Sequence, residues 1–134
     1  MPDIAGLIAV ARGRKEPDLV LKQAMVINVF SGEIYESDVA IYDGTIAGLG
    51  QYSGPREVDL SGRFLAPGFI DGHVHLESAM VAPPEFARAV VPRGTTSVVA
   101  DPHEIANVLG TTGIRYLLEA SRDLPLRVYL TIPS

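Results

Sequence analysis

From Phe64 onward the chain alternates strand-forming and helix-forming stretches, and this restricts the fold more than any other feature. Phe64 to His75 contains an apolar strand that ends in polar residues. Pro83-Pro84-Glu85 opens a helix, with proline tolerated in the first turn and the carboxylate favourable to the helix dipole. Gly94 closes that stretch, and the β-branched run Thr95-Thr96-Ser97-Val98-Val99-Ala100 forms the next strand. Ile114, Leu117, Leu118 and Ser121 mark one face of a further helix behind Gly110-Thr111-Thr112-Gly113, and Leu126 to Ile132 is a third strand. Strands alternating with helices predict an α/β fold, a parallel sheet joined by right-handed crossovers. At 134 residues the chain cannot hold a complete (β/α)8 barrel, which takes about 250.

The first half reads differently. The N-terminus, Met1 to Arg12, holds a short apolar run that reads as a short amphipathic helix, so residues 1–17 are taken as an N-terminal helical segment. Residues 18–62 carry strand and turn signals. Leu19-Val20-Leu21 and Met25 to Phe30 are β-rich, and Ser31-Gly32 reads as a turn. Val39 to Tyr42 and Thr45 to Ala47 flank Asp43-Gly44, the pair best suited to a two-residue hairpin turn. Glu57 to Leu60 is another short strand, ended by Ser61-Gly62. The expectation is a small antiparallel β-sandwich module over 18–62, followed by strand–helix units over 63–134.

Composition narrows the chemistry. The chain is 47% hydrophobic and 20% charged, as core-forming chains are. Eleven basic residues against 16 acidic ones give −5 and no basic stripe, which argues against a nucleic-acid partner. There is no cysteine, so disulfides, thiolate metal sites and a cysteine nucleophile are excluded. No signal peptide and no apolar stretch of about 20 residues is visible. The expected location is the cytoplasm, without a membrane partner.

The segment Pro67-Gly68-Phe69-Ile70-Asp71-Gly72-His73-Val74-His75-Leu76-Glu77 carries the sharpest functional signal. On a strand, residues two apart point to one face, so His73 and His75 can converge on one metal ion. The plainer alternative is two histidines each satisfied by a hydrogen bond. Asp71 and Glu77 share their parity and are candidates for supporting or substrate contacts. Alternatively, Glu77 is a solvated residue or a carboxylate at a helix N-terminus. Asp101-Pro102-His103-Glu104 fits a helix start, with Asp101 as the cap, proline first and a glutamate in the first turn. Capping leaves His103 unexplained, so Asp101, His103 and Glu104 are also candidates for substrate or metal-site contacts. His75-Leu76-Glu77 matches half of a zinc-deaminase motif whose other half requires cysteines, and this chain has none.

The Pro67–Glu77 segment resembles the end of the first barrel strand in the amidohydrolase superfamily. His73-Val74-His75-Leu76-Glu77-Ser78, Pro83-Pro84-Glu85-Phe86-Ala87, Val91-Pro92-Arg93-Gly94-Thr95-Thr96 and Asp101-Pro102-His103-Glu104-Ile105-Ala106-Asn107-Val108 resemble, within it, the bacterial adenine deaminases. The resemblance implies a (β/α)8 barrel with a flanking β-sandwich, here only its N-terminal part. It implies hydrolysis of adenine to hypoxanthine and ammonia, with a binuclear divalent metal centre of manganese or iron, zinc being possible. His73 and His75 would be metal ligands. A bound cation lowers the pKa of its water towards neutrality, and imidazole with carboxylate ligands suits these metals. In such enzymes the remaining ligands come from later strands, so the chain is expected to be an N-terminal segment, inactive alone, of an enzyme that is a homo-oligomer at full length. Other readings are an amidohydrolase acting on cyclic amides, or a non-catalytic binding module.

Overall fold

The computed structural model describes residues 2–132. The chain forms two compact units, Met1–Pro67 and Gly68–Ser134.

The first unit opens with helix α1 (Ile4–Ala11), started by Asp3, whose carboxylate accepts the Gly6 N–H at 2.9 Å. Strands β1 (Leu19–Asn28), β2 (Glu33–Tyr42), β3 (Thr45–Gly50), β4 (Glu57–Asp59) and β5 (Phe64–Leu65) form one sheet in the order β3-β2-β1-β4, with β5 also on β1. The β2–β3 turn has φ +49° at Asp43 and +67° at Gly44. Positive φ at both central residues is the turn whose twist matches a hairpin, as the Asp-Gly pair predicts. The β1 stretch ends at Asn28 rather than Phe30, because the Asn28 side chain accepts the Phe30 N–H at 3.0 Å and turns the chain.

The sheet is mixed, not antiparallel throughout. β4 and β5 run parallel to β1, pairing Leu21 with Val58 and Met25 with Phe64. Composition marks a segment as a strand, but its connection sets its direction. The link after β3 crosses to the free edge of β1 and delivers β4 alongside it. Gln23, at φ +53°, bulges β1 between these two pairings. Ala24, Val26 and Val39 are buried there, packed by Leu21, Tyr35, Ile41, Leu60 and Leu65.

The pattern change at residue 62 and the unit boundary after Pro67 differ by β5. The apolar run from Phe64 is split, because Pro67 lacks an N–H for a ladder. Phe64–Leu65 complete the first sheet, and Phe69 starts the second.

The second unit is a three-stranded parallel sheet in the order β6 (Phe69–Val74), β7 (Thr95–Ala100), β8 (Arg127–Leu130). Helix α2 (Pro83–Val90) joins β6 to β7, with Pro83 in its first turn. Two helices, α3 (His103–Leu109) and α4 (Thr111–Ala120), join β7 to β8. Leu117 is buried on α4, whereas Leu118 is exposed. Gly113 is buried on α4; a Cβ there would lie 2.8 Å from the Ile105 carbonyl, so glycine permits the close approach of α3. Ala87, Val98 and Leu126 form the core. Among the described residues, no helix is long and apolar enough to cross a membrane.

Candidate metal centre

The site assembles at the carboxyl ends of β6 and β7, where parallel sheets place their ligands. The Asp101 N–H donates to the Val74 carbonyl at 3.0 Å, which ties the two strand ends together. His73 and His75 converge, their Nε2 atoms 3.1 Å apart and their rings edge to face. Nδ1 of His75 lies 3.0 Å from the Asp101 carbonyl. A carbonyl only accepts, so Nδ1 carries the proton and Nε2 presents its lone pair.

Asp101 also holds His103. Its Oδ2 is 3.1 Å from His103 Nδ1, leaving Nε2 as that ring's ligating atom. The hydrogen bond from the His103 ring holds the Asp101 carboxyl below its ordinary range, and burial opposes this. The other oxygen of Asp101, Oδ1, is buried without a hydrogen-bond partner.

Two donor groups result. His73, His75 and Asp101 place one ligand atom each within 4.8 Å of one another, and so do His75, His103 and Glu104. Each offers two imidazole nitrogens and a carboxylate oxygen, a set that suits divalent first-row metals. The orphaned Asp101 Oδ1 is the kind of atom a cation satisfies.

Asp71 and Glu77 stand outside both groups. The Asp71 carboxylate accepts the His73 N–H at 3.1 Å. The cause is a register irregularity: Asp71 pairs with Val98 and Val74 with Ala100, so three steps on β6 match two on β7. The extra residue breaks the parity that would align Asp71 with the histidines. Glu77 caps α3, its Oε1 accepting the Ile105 N–H at 3.1 Å, while its Oε2 is buried without a partner. The expected cap, Asp101, does not serve α3. Pro102 occupies the cap position without a side-chain bond, and the Asp101 carboxylate binds the His103 ring instead. Ser78 was not marked as a site residue by sequence; its hydroxyl donates to Glu104 Oε1 at 2.7 Å. Its place at the end of the His73–Ser78 motif is the signal that could have found it.

A profile of the amidohydrolase family matches residues 64–134, more than half of the chain. The chain belongs to the amidohydrolase family. Among curated amidohydrolase relatives it is 60% identical over 134 residues to adenine deaminase 2 of Carboxydothermus hydrogenoformans, covering 100% of this chain and 24% of that protein. It is 53% identical over 133 residues to an adenine deaminase of Kosmotoga olearia, covering 98% of this chain and 23% of the relative. The chain thus spans about a quarter of the length of these relatives. Among solved structures, a D-aminoacylase studied for its binuclear metal centre aligns with TM-score 0.62 at 20% identity, over 87% of this chain and 29% of its own. An N-acyl-D-glutamate deacylase from Bordetella bronchiseptica, complexed with zinc and a phosphonate inhibitor, aligns with TM-score 0.53 at 26% identity, over 64% of this chain and 19% of its own.

Proposed function

We propose that this chain contributes part of the metal centre of an adenine deaminase, which converts adenine and water to hypoxanthine and ammonia. The observation that carries the reading is the convergence of His73 and His75 Nε2 at 3.1 Å beside Asp101, in a chain 60% and 53% identical to named adenine deaminases.

His73 and His75 would hold the cation, with Asp101 beside them. A divalent metal, manganese or iron with zinc as a further candidate, would supply Lewis acidity and lower the pKa of water. The chain's own residues supply orientation. The Asp101 carbonyl fixes the His75 tautomer, and such partners of ligating histidines typically govern metal affinity. Asp71 fixes the backbone at His73. His103, oriented by the Asp101 carboxylate, presents Nε2 for a contact to the cation or to the substrate. In this reading the second unit is the start of a (β/α)8 barrel and the first unit part of a flanking sandwich. The full-length enzyme is a cytoplasmic homo-oligomer with a binuclear centre, and the present chain alone does not turn over adenine.

The test is formation of hypoxanthine and ammonia by a longer protein carrying this chain, against a panel of cyclic amides. H73A and H75A are expected to lower adenine turnover and metal content together. Turnover of a cyclic amide with adenine inert would move the assignment elsewhere in the family, and hypoxanthine formation by the purified 134-residue chain would overturn the partial-site reading.

A further inference from the structure

We propose that His75, His103 and Glu104 form a second seat for a divalent cation, and that it cannot be filled at the same time as the His73–His75–Asp101 seat. The proposal rests on the reading of His73 and His75 as metal ligands and extends it to a position outside that pair.

Three features build the second seat. The rings of His75 and His103 stand edge to face with centroids 4.7 Å apart. His103 spends Nδ1 on the Asp101 carboxylate, so Nε2 is its ligating atom. Glu104 is held by the Ser78 hydroxyl through Oε1, which fixes the carboxylate and leaves lone pairs on both oxygens. One ring nitrogen of each histidine and one Glu104 oxygen lie within 4.8 Å of one another. Capping does not account for this arrangement, because Glu77, not Glu104, takes the Ile105 N–H.

Exclusivity follows from His75. Both seats draw on it, and a neutral imidazole has one free lone pair. To serve two cations the ring would have to lose its Nδ1 proton as well. That proton is donated to the Asp101 carbonyl, an atom that can only accept. The bond therefore holds His75 in the form that binds one cation at a time. The two seats share His75, and the Asp101 carboxylate, which faces His73 and His75, also binds the His103 ring.

Co2+ is the probe, because its visible absorption reports the ligand set. The purified 134-residue chain is titrated with Co2+, and the wild type is expected to bind one equivalent. H73A and H103A are each expected to retain one equivalent, with visible spectra that differ from one another. H75A and the H73A/H103A double variant are expected to bind none over the same Co2+ range. E104Q, which keeps an oxygen for Ser78, is expected to act like H103A when combined with H73A. Circular dichroism of every variant separates lost ligands from lost fold, and E104Q keeps the test open should H103A unfold. Loss of Co2+ binding in H73A with wild-type behaviour in H103A would overturn the second seat and leave the first standing. Two equivalents on the wild type would overturn exclusivity. No binding by the wild type would overturn both seats, whereas failure of the deaminase assignment shows separately, in the hypoxanthine assay.

Discussion

Asp38 offers a prediction whose sign and size both follow from the structure. Its side chain is 8% exposed and lies on β2 opposite the β1 bulge. Oδ1 accepts the Gln23 N–H at 2.9 Å; Oδ2 accepts the Tyr52 N–H at 3.1 Å and the Lys22 ammonium at 2.6 Å. Burial raises the Asp38 pKa, but the Lys22 ammonium and the two N–H groups outweigh it, so the carboxyl sits below its ordinary 3.8. A depressed folded-state pKa contributes stability that is present above the unfolded value and lost as pH falls through the folded one. D38N keeps one carbonyl oxygen for an N–H, but turns an amide donor towards the ammonium or the other N–H. Hydrogen bonds to charged groups contribute about 1.5–3 kcal/mol. Lys22 is 28% exposed and can recover hydration, which places the expected cost near the lower end, about 2 kcal/mol. Urea unfolding of wild type and D38N, followed by circular dichroism at pH 7 and at a series of lower pH values, measures it. The gap is expected to be about 2 kcal/mol at pH 7 and to shrink as pH falls through the folded-state pKa of Asp38, where the wild-type carboxyl takes up its proton. A gap that does not shrink with falling pH, or none at pH 7, would refute this reading.

Two further outcomes concern the metal centre and the start of α3. D101N removes a carboxylate that both faces the His73–His75 seat and orients His103, while the backbone carbonyl still holds His75; Co2+ affinity measured by calorimetric titration should fall by at least about 10–100-fold, the range seen when only a partner of a ligating histidine is lost. E77A should destabilise the start of α3 by about 1 kcal/mol, as the loss of a helix cap does, whereas E77Q keeps an oxygen for the Ile105 N–H; hydrogen exchange at Ile105 should quicken in the first variant and change little in the second.

What the sequence made legible was local. Asp43-Gly44 announces its turn because few residue pairs accept positive φ twice. His73 and His75 announce their convergence because strand geometry places i and i+2 on one face. The misses are relations between distant segments. Nothing in Glu57–Asp59 or Phe64–Leu65 says that they run parallel to β1, since the edge reached by the preceding link decides it. Asp71 shares the sequence parity of the histidines, but a bulge that exists only through pairing with β7 removes it from them. Glu77 caps a helix whose Ile105 lies 28 residues along the chain, beyond the reach of any short capping pattern. The family model covers residues 64–134, so the stretch with the densest motifs is also the one that carries the site.

Asp101 explains how two strands can preorganise several ligand atoms. Its N–H binds Val74 at the end of β6, its carbonyl binds the His75 ring, and its carboxylate binds the His103 ring. These three groups work in different directions from one Cα, and the following residue, Pro102, is fully buried. Proline fixes its own φ and restricts the residue before it, so the Asp-Pro step limits the freedom of the residue that makes all three contacts. The orientation of both rings is then set by Asp101 at the end of β7, before any ion arrives. A centre built this way loses little ordering entropy when a cation binds, because the rotamers it needs are already held. The Asp-Pro-His-Glu run that reads as a helix cap in the sequence is, in the fold, the joint that aims the ligands.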